Sequence, residues 1–404
     1  MKRYFHLWFL FFLIIPFFVS AQEEPNFYLK GIANFQKKDF NEAIIQFSKV
    51  IEFNKNNTEY YYKRGECYYN IQHYFKAIDD FQKADSLKPG YGSFFLAKNY
   101  ALIGNEKKSI EYLTIHLKSK YRIPQSHIMF DEAFSDLQYA KEWEKLWKNN
   151  WYTKYEDQLD EAEYLLKSKN YDEALEFLDN TISGKSRDHE LLSLRARVFI
   201  ALNDYRNALT DYDEAILLSK RNHEYYAERA RILYKIKKYK KSSGDYSRAI
   251  ELNPYDLKLN YERAVVNYEL KNYEDAIKDI TYYLGYFEKD EDAIFLCGKI
   301  HYENEDYLKA LEYFNKNLEL NTGNTEYFTA RANTYLKTGT FQYAINDYSM
   351  ALDLDPKDEQ VYFNRGIARL STGNLKEACF DWEQAKKYGH LNIDEYLKKY
   401  CSKE

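Results

Sequence analysis

Residues Thr325–Asp358 read TEYFTARANTYLKTGTFQYAINDYSMALDLDPKD. In this 34-residue stretch Phe328, Ala332, Tyr335, Ala344, Tyr348, Ala351 and Pro356 fall at the fourth, eighth, eleventh, twentieth, twenty-fourth, twenty-seventh and thirty-second positions. The same frame restarts at Tyr155, His189, His223, Leu257, Glu291, Thr325 and Glu359, seven units in succession with no residue inserted or deleted. A period of this length marks an architecture of stacked repeats.

The eighth position is always small: Ala162, Ala196, Ala230, Ala264, Gly298, Ala332, Gly366. So is the twentieth: Ala174, Ala208, Ser242, Ala276, Ala310, Ala344, Ala378. Small residues at these two points let two helices of one unit cross closely while larger side chains fill the remaining space. An aromatic stands three residues before the second small one in six units, from Tyr171 to Phe341, with Leu375 in the last. Pro254 and Pro356 close their units. This spacing resembles the tetratricopeptide repeat family. The resemblance implies an all-α fold, a right-handed superhelical solenoid of about ten helix-turn-helix repeats with a C-terminal capping helix.

The N-terminus has Lys2 and Arg3, an apolar run from Leu7 to Val19, and Val19-Ser20-Ala21 before Gln22. That is the three-part pattern of a secretory signal, with cleavage expected after Ala21 and the rest of the chain exported to a periplasmic or extracellular compartment. The apolar run is short for a membrane span, so no span is expected after cleavage. Without residues 1–21 the chain has 56 Lys and Arg against 63 Asp and Glu, a net charge of −7. Charges of both signs are spread over the repeats, as on the solvated faces of amphipathic helices, and no basic face suited to nucleic acid emerges.

Three further units begin at Glu24, Thr58 and Gly90, the third of them worn. Residues 22–123 therefore form an N-terminal array of three repeats, and 155–392 a C-terminal array of seven. Between them, residues 124–154 break the frame. Phe130, Phe134 and Leu137, then Trp143, Trp147 and Trp151 at steps of four, predict an irregular helical connector whose indoles fill the gap between arrays, with a partner dock or a hinge as the alternative. The last segment, residues 393–404, reads as a capping helix.

Catalytic and cofactor motifs are missing, so an enzyme is not expected. Gly184-Lys185-Ser186 lacks the glycine that a phosphate loop needs five residues earlier, where Asp179 stands. His189 and His223 share one frame position, but equivalent points on stacked helices lie on the order of 10 Å apart, too far for one zinc ion.

Arg occupies the seventh position in six units, as Arg64, Arg195, Arg229, Arg263, Arg331 and Arg365. The same six carry Asp at the twenty-third, as Asp80, Asp211, Asp245, Asp279, Asp347 and Asp381, and the other four units have neither. This covariation within one chain predicts an ion pair joining the two helices of each repeat.

The resemblance also implies that an extended peptide or protein segment binds the inner face, through the second, fifth, ninth and twelfth positions of the first helices. These give Tyr62 and Tyr69; Arg197 and Arg231; Tyr261 and Tyr268; Phe295, Lys299 and Tyr302; Asn333; and Phe363. Tyr is abundant in this chain, 42 residues, so rings that merely decorate the groove are the competing explanation. The expected role is a non-catalytic interaction scaffold. A membrane-held periplasmic assembly factor and a cell-wall glycan-binding protein stay open beside it. Finally, Cys379 and Cys401 each lie ten or eleven residues from the turn at Gly389 and His390, level with each other in an antiparallel helical hairpin, and predict a disulfide.

Overall fold

The computed structural model describes residues 24–183, 188–391 and 393–401; among them there is no strand. The signal pattern at residues 1–21 and the Gly184-Lys185-Ser186 loop lie outside the described residues. The chain divides into two compact units, Met1–Ile232 and Leu233–Glu404, with the boundary inside the helix His223–Lys235. Residues 124–154 lie in the first unit.

In the first unit helices pair in chain order: 24–36 with Phe40–Phe53, Thr58–Asn70 with Tyr74–Leu87, and Ser93–Leu102 with Glu106–Lys118. After the connector come Lys154–Lys167 with Tyr171–Ser183 and His189–Ala201 with Tyr205–Leu218. The second unit holds Tyr239–Leu252, then four pairs: Lys258–Glu269 with Tyr273–Leu284, Glu291–Glu303 with Tyr307–Leu320, Thr325–Lys337 with Phe341–Leu354, and Glu359–Ser371 with Leu375–Tyr388.

The turn within each pair is set by backbone geometry. The fifteenth residue of every unit, from Lys38 to Gly373, is left-handed with φ between 59° and 81°. The next residue donates its N–H to the carbonyl five residues back, as Asn272 does to Asn267 at 2.9 Å and Asn374 to Arg369 at 2.9 Å. That closes the first helix with the 6→1 bond of a Schellman turn and leads directly into the second.

Where the eighth position is glycine, the ring at the twenty-fourth position takes up the space a Cβ would need. A Cβ on Gly298 would stand 2.5 Å from Cε1 of Phe314, and one on Gly366 would stand 2.5 Å from Nε1 of Trp382. Glycine accompanies Phe or Trp at the twenty-fourth position, whereas alanine accompanies Leu178 and Ile280 and also Tyr212, Tyr246 and Tyr348. Gly298→Ala is therefore expected to cost about 1–3 kcal/mol by overpacking. Phe314→Leu in the same chain should recover at least half of that. Denaturant melts of both single variants and the double decide it, and simple additivity of the two losses would refute the close contact of Gly298 with Phe314.

Five Arg–Asp pairs lie wholly within one unit, and each is bidentate. Nε and a terminal nitrogen reach the two carboxylate oxygens at 2.7–3.0 Å in Arg64–Asp80, Arg195–Asp211, Arg263–Asp279, Arg331–Asp347 and Arg365–Asp381. The five carboxylates are buried, Asp381 completely. The remaining terminal nitrogen does something the sequence pattern did not indicate. It reaches back to the second helix of the preceding repeat, to Ser48, Asp179, Ser247, Asn315 and Ser349 respectively, at 2.7–3.0 Å. Each arginine thus fastens its own helix pair and the stacking of that pair on its neighbour.

Residues 124–154 are built of short helical pieces. Helix Gln125–Met129 and two single 3₁₀ turns lead into Lys141–Trp147. The side chains of Ile128, Phe134, Leu137, Trp143 and Leu146 join Ala97, Leu113 and Leu117 of the third repeat in one cluster. Toward the fourth repeat, Arg122 forms a bidentate pair with Glu156 at 2.7–2.8 Å, which pulls the Glu156 carboxyl down to about 2. Trp151 departs from the predicted helical stripe. The helix ends at Trp147, and the Trp151 indole N–H turns back to cap the carbonyl of Leu146 at 2.8 Å.

At the other end, Ile393–Tyr396 and a π-helical turn, Leu397–Cys401, cover the last pair. Ile393, Leu397 and Tyr400 pack with Trp382 and Ala378. Cys379 and Cys401 are bonded, with Cα atoms 5.8 Å apart, inside the range a disulfide spans. Cys67 and Cys297 are free and buried, and burial pushes both thiols up to about 12.

Candidate functional site

The second unit contains a cavity of about 410 Å³. Successive first helices build it. Tyr268 comes from Lys258–Glu269; Phe295, Lys299 and Tyr302 come from Glu291–Glu303; Thr325, Thr329 and Asn333 come from Thr325–Lys337. Steps of three and four residues along a helix hold these side chains on one face, which explains why positions far apart in sequence converge.

The polar groups in the cavity are unevenly satisfied. The Lys299 ammonium sits 5.5 Å from the ring centre of Tyr268 and 5.6 Å from that of Phe295. Among the described residues no carboxylate lies within 4.0 Å of it. The Asn333 carbonyl oxygen accepts from the Tyr348 hydroxyl at 2.6 Å and from the Asn364 amide at 3.1 Å. Those two bonds fix the amide so that its NH₂ side is the end left for a ligand. The Thr329 hydroxyl oxygen is buried with no partner among the described residues. Burial pushes the phenols of Tyr268 and Tyr302 up, so both remain hydroxyls at neutral pH. An aromatic wall, one cation and the Asn333 amide can take a polar chain segment with apolar side chains.

Five of the expected groove residues line this cavity: Tyr268, Phe295, Lys299, Tyr302 and Asn333. The others do not. Tyr261 packs on Tyr283, with ring centres 5.3 Å apart. Phe363, expected in the groove, is stacked on His390 at 4.3 Å and met edge-on by Tyr396 at 4.9 Å, because after the last repeat it is the cap that covers this face. In the first unit Tyr62 is wedged among Phe81, Tyr91 and Phe95, and Tyr69 packs against Phe95. Arg197 is exposed, and Arg231 pairs with Glu228 of its own helix at 2.7 Å. Thr329 was not among the expected residues. It stands at the fifth position of its repeat, so a polar residue at a groove position is the signal that finds it.

Family models described as tetratricopeptide repeat match residues 25–57, 58–91, 193–256 and 228–290, and one described as TPR repeat matches 332–373. Among curated proteins, serine/threonine-protein phosphatase 5 of Mus musculus is 31% identical over 104 residues, 26% of this chain and 21% of the phosphatase. DnaJ homolog subfamily C member 7 of Homo sapiens is 30% identical over 95 residues, 24% of this chain and 19% of that protein. The chain thus spans about a fifth of the length of the curated relatives it matches. Among solved structures, the C-terminal part of a TPR repeat-containing protein from Cytophaga hutchinsonii aligns with 59% of this chain and 99% of its own at a TM-score of 0.52 and 19% identity, a likeness of fold. With its helix pairs in register and matches to the repeat in both units, the chain belongs to the tetratricopeptide repeat family.

Proposed function

We propose that the chain is an interaction scaffold that binds an extended segment of a protein partner in the cavity of its second unit. The carrying observation is the convergence of Tyr268, Phe295, Lys299, Tyr302 and Asn333 on one cavity. Aromatic anchors supply most of the energy in interfaces of this kind. Among the described residues no group of His, Cys, Asp and Glu is placed to hold a metal, and no helix is long and apolar enough to cross a membrane. The test is selection of random displayed peptides on the intact chain. Selected peptides should lose about tenfold in affinity on Tyr268→Ala, the loss that removal of one aromatic anchor brings. Peptides that bind Tyr268→Ala and Asn333→Ala as tightly as the natural chain would refute the cavity as the site.

A further inference from the structure

Beyond its last repeat the chain turns at Gly389 and lays residues 393–401 back over that repeat. The repeat carries Phe363, Ile367 and Leu370 at the fifth, ninth and twelfth positions of the frame, the positions that place Phe295, Lys299 and Tyr302 in the cavity two repeats earlier. All three are apolar, and all three belong to one cluster with Ile393, Leu397 and Tyr400 of the cap. His390 lies flat on Phe363 while Tyr396 meets its edge, and Tyr396 and Tyr400 close over Trp382 with ring centres 5.5 and 5.6 Å away. The covered face continues from the cavity: Asp358, which precedes the helix Glu359–Ser371, lines the cavity, and the Asn364 amide donates to Asn333 within it.

The cap has little of its own to hold it there. It consists of one α-turn and one π-turn, and a helix of nine residues is not stable by itself in water. Its ion pair, Lys386 with Asp394 at 2.6 Å, has both side chains exposed and contributes little. The covalent tie is the disulfide from Cys401 to Cys379 on the helix Leu375–Tyr388. Closing a loop of this length favours the closed arrangement on the order of 100-fold over the open chain. Both of these cysteines are half-buried and so within reach of a small thiol, whereas Cys67 and Cys297 are buried in other repeats.

We propose that the Cys379–Cys401 disulfide is a redox latch, and that its reduction by a dithiol frees residues 393–401 and lengthens the groove by the face of Phe363, Ile367 and Leu370. This rests on the reading of the cavity as a site for a polypeptide segment. One thiolate of the reductant attacks a protein sulfur, the S–S bond breaks and a mixed disulfide forms. The second thiolate of the reductant displaces the protein sulfur. The reductant leaves as a disulfide, having given two electrons and two protons, and Cys379 and Cys401 remain as thiols. Because the uncovered face is apolar, the longer groove takes a segment that bears apolar side chains beyond the part seated in the cavity.

Hydrogen exchange of the intact chain, oxidised and in dithiothreitol, tests the latch without any ligand. Reduction should speed exchange in residues 393–401 on the order of 100-fold and leave Thr325–Lys337 unchanged. Cys401→Ser should match the reduced chain and give no response to dithiothreitol. An acceleration below about tenfold would show that packing alone holds the cap, and a response that persists in Cys401→Ser would place the effect elsewhere; either overturns the latch. Peptides selected on the reduced chain then test the groove. They should bind the oxidised chain about tenfold more weakly, and Phe363→Ala should cost about tenfold in the reduced chain alone. Peptides that need Tyr268 but bind both forms equally would overturn the lengthening and leave peptide binding in the cavity standing. A selection yielding no peptide sensitive to Tyr268→Ala would overturn the cavity reading and the lengthening with it, whatever the exchange of the cap shows.

Discussion

Replacing Arg263 by alanine is expected to destabilise the second unit by about 3 kcal/mol, the low end for breaking a buried ion pair. The guanidinium makes two bonds to Asp279, which is only 3% exposed, and a third to Ser247 of the preceding helix. Its removal leaves a buried carboxylate whose other side-chain hydrogen bond among the described residues comes from the Asn267 amide, at 3.4 Å. Lys258→Ala is the control. That lysine is largely exposed and lies 3.9 Å from Glu262, so its loss should stay within about 0.5 kcal/mol. Because the third bond crosses to the neighbouring repeat, Arg263→Ala should also broaden the denaturant transition, as repeats that stack less tightly unfold less cooperatively. Equal and small losses in the two variants would show that the pair is decorative.

The second large effect expected is acid sensitivity of the first unit through His116. This ring is 2% exposed, and its Nε2 accepts the backbone N–H of Ile123 at 3.1 Å. That bond requires a neutral imidazole. Burial pushes the group down to about 4 from the ordinary 6.5. In the unfolded chain the ring takes up its proton near pH 6.5, so below that value the unfolded state binds more protons than the folded one. The stabilisation is complete above pH 6.5 and is lost as the pH falls toward 4, about 2 kcal/mol of it between pH 7 and pH 4.5. His301 in the second unit is likewise pushed down by burial, so the natural chain is compared with His116→Gln, whose amide can still accept from Ile123 but does not titrate. Denaturant midpoints at the two pH values should converge in the variant. An unchanged pH dependence in His116→Gln would remove His116 from the explanation.

The repeat frame and the Arg–Asp pairs were legible because each is written in one residue type at one spacing, over and over. Asp279 is sixteen residues beyond Arg263, as Asp347 is beyond Arg331, and no alignment is needed to see it. The onward bond to the preceding repeat was not legible, because serine, aspartate and asparagine all serve as its acceptor at the same position. The exchange of alanine for glycine opposite Phe314 and Trp382 was present in the sequence, but it is visible only when the eighth and twenty-fourth positions are read as a pair. Frame position failed where the stack ends. Phe363 has the register of a groove residue, yet the terminal helix lies over it. Trp151 has helical spacing, yet its helix stops at Trp147 and its indole serves as a cap. In both cases a local periodicity was overruled by what the chain does next. Of the eleven groove positions proposed from the frame, the five that share a cavity come from three consecutive repeats in the second unit, where no cap or connector intervenes.

Hydrogen exchange of the intact chain, with and without a saturating peptide selected on it, tests the central claim most directly. Slowed exchange should concentrate in the helices Glu291–Glu303 and Thr325–Lys337 and in the end of Lys258–Glu269 that carries Tyr268, and it should vanish with Tyr268→Ala. Protection confined to the first unit, or none in these three helices despite saturation, would contradict the assignment of the cavity as the binding site.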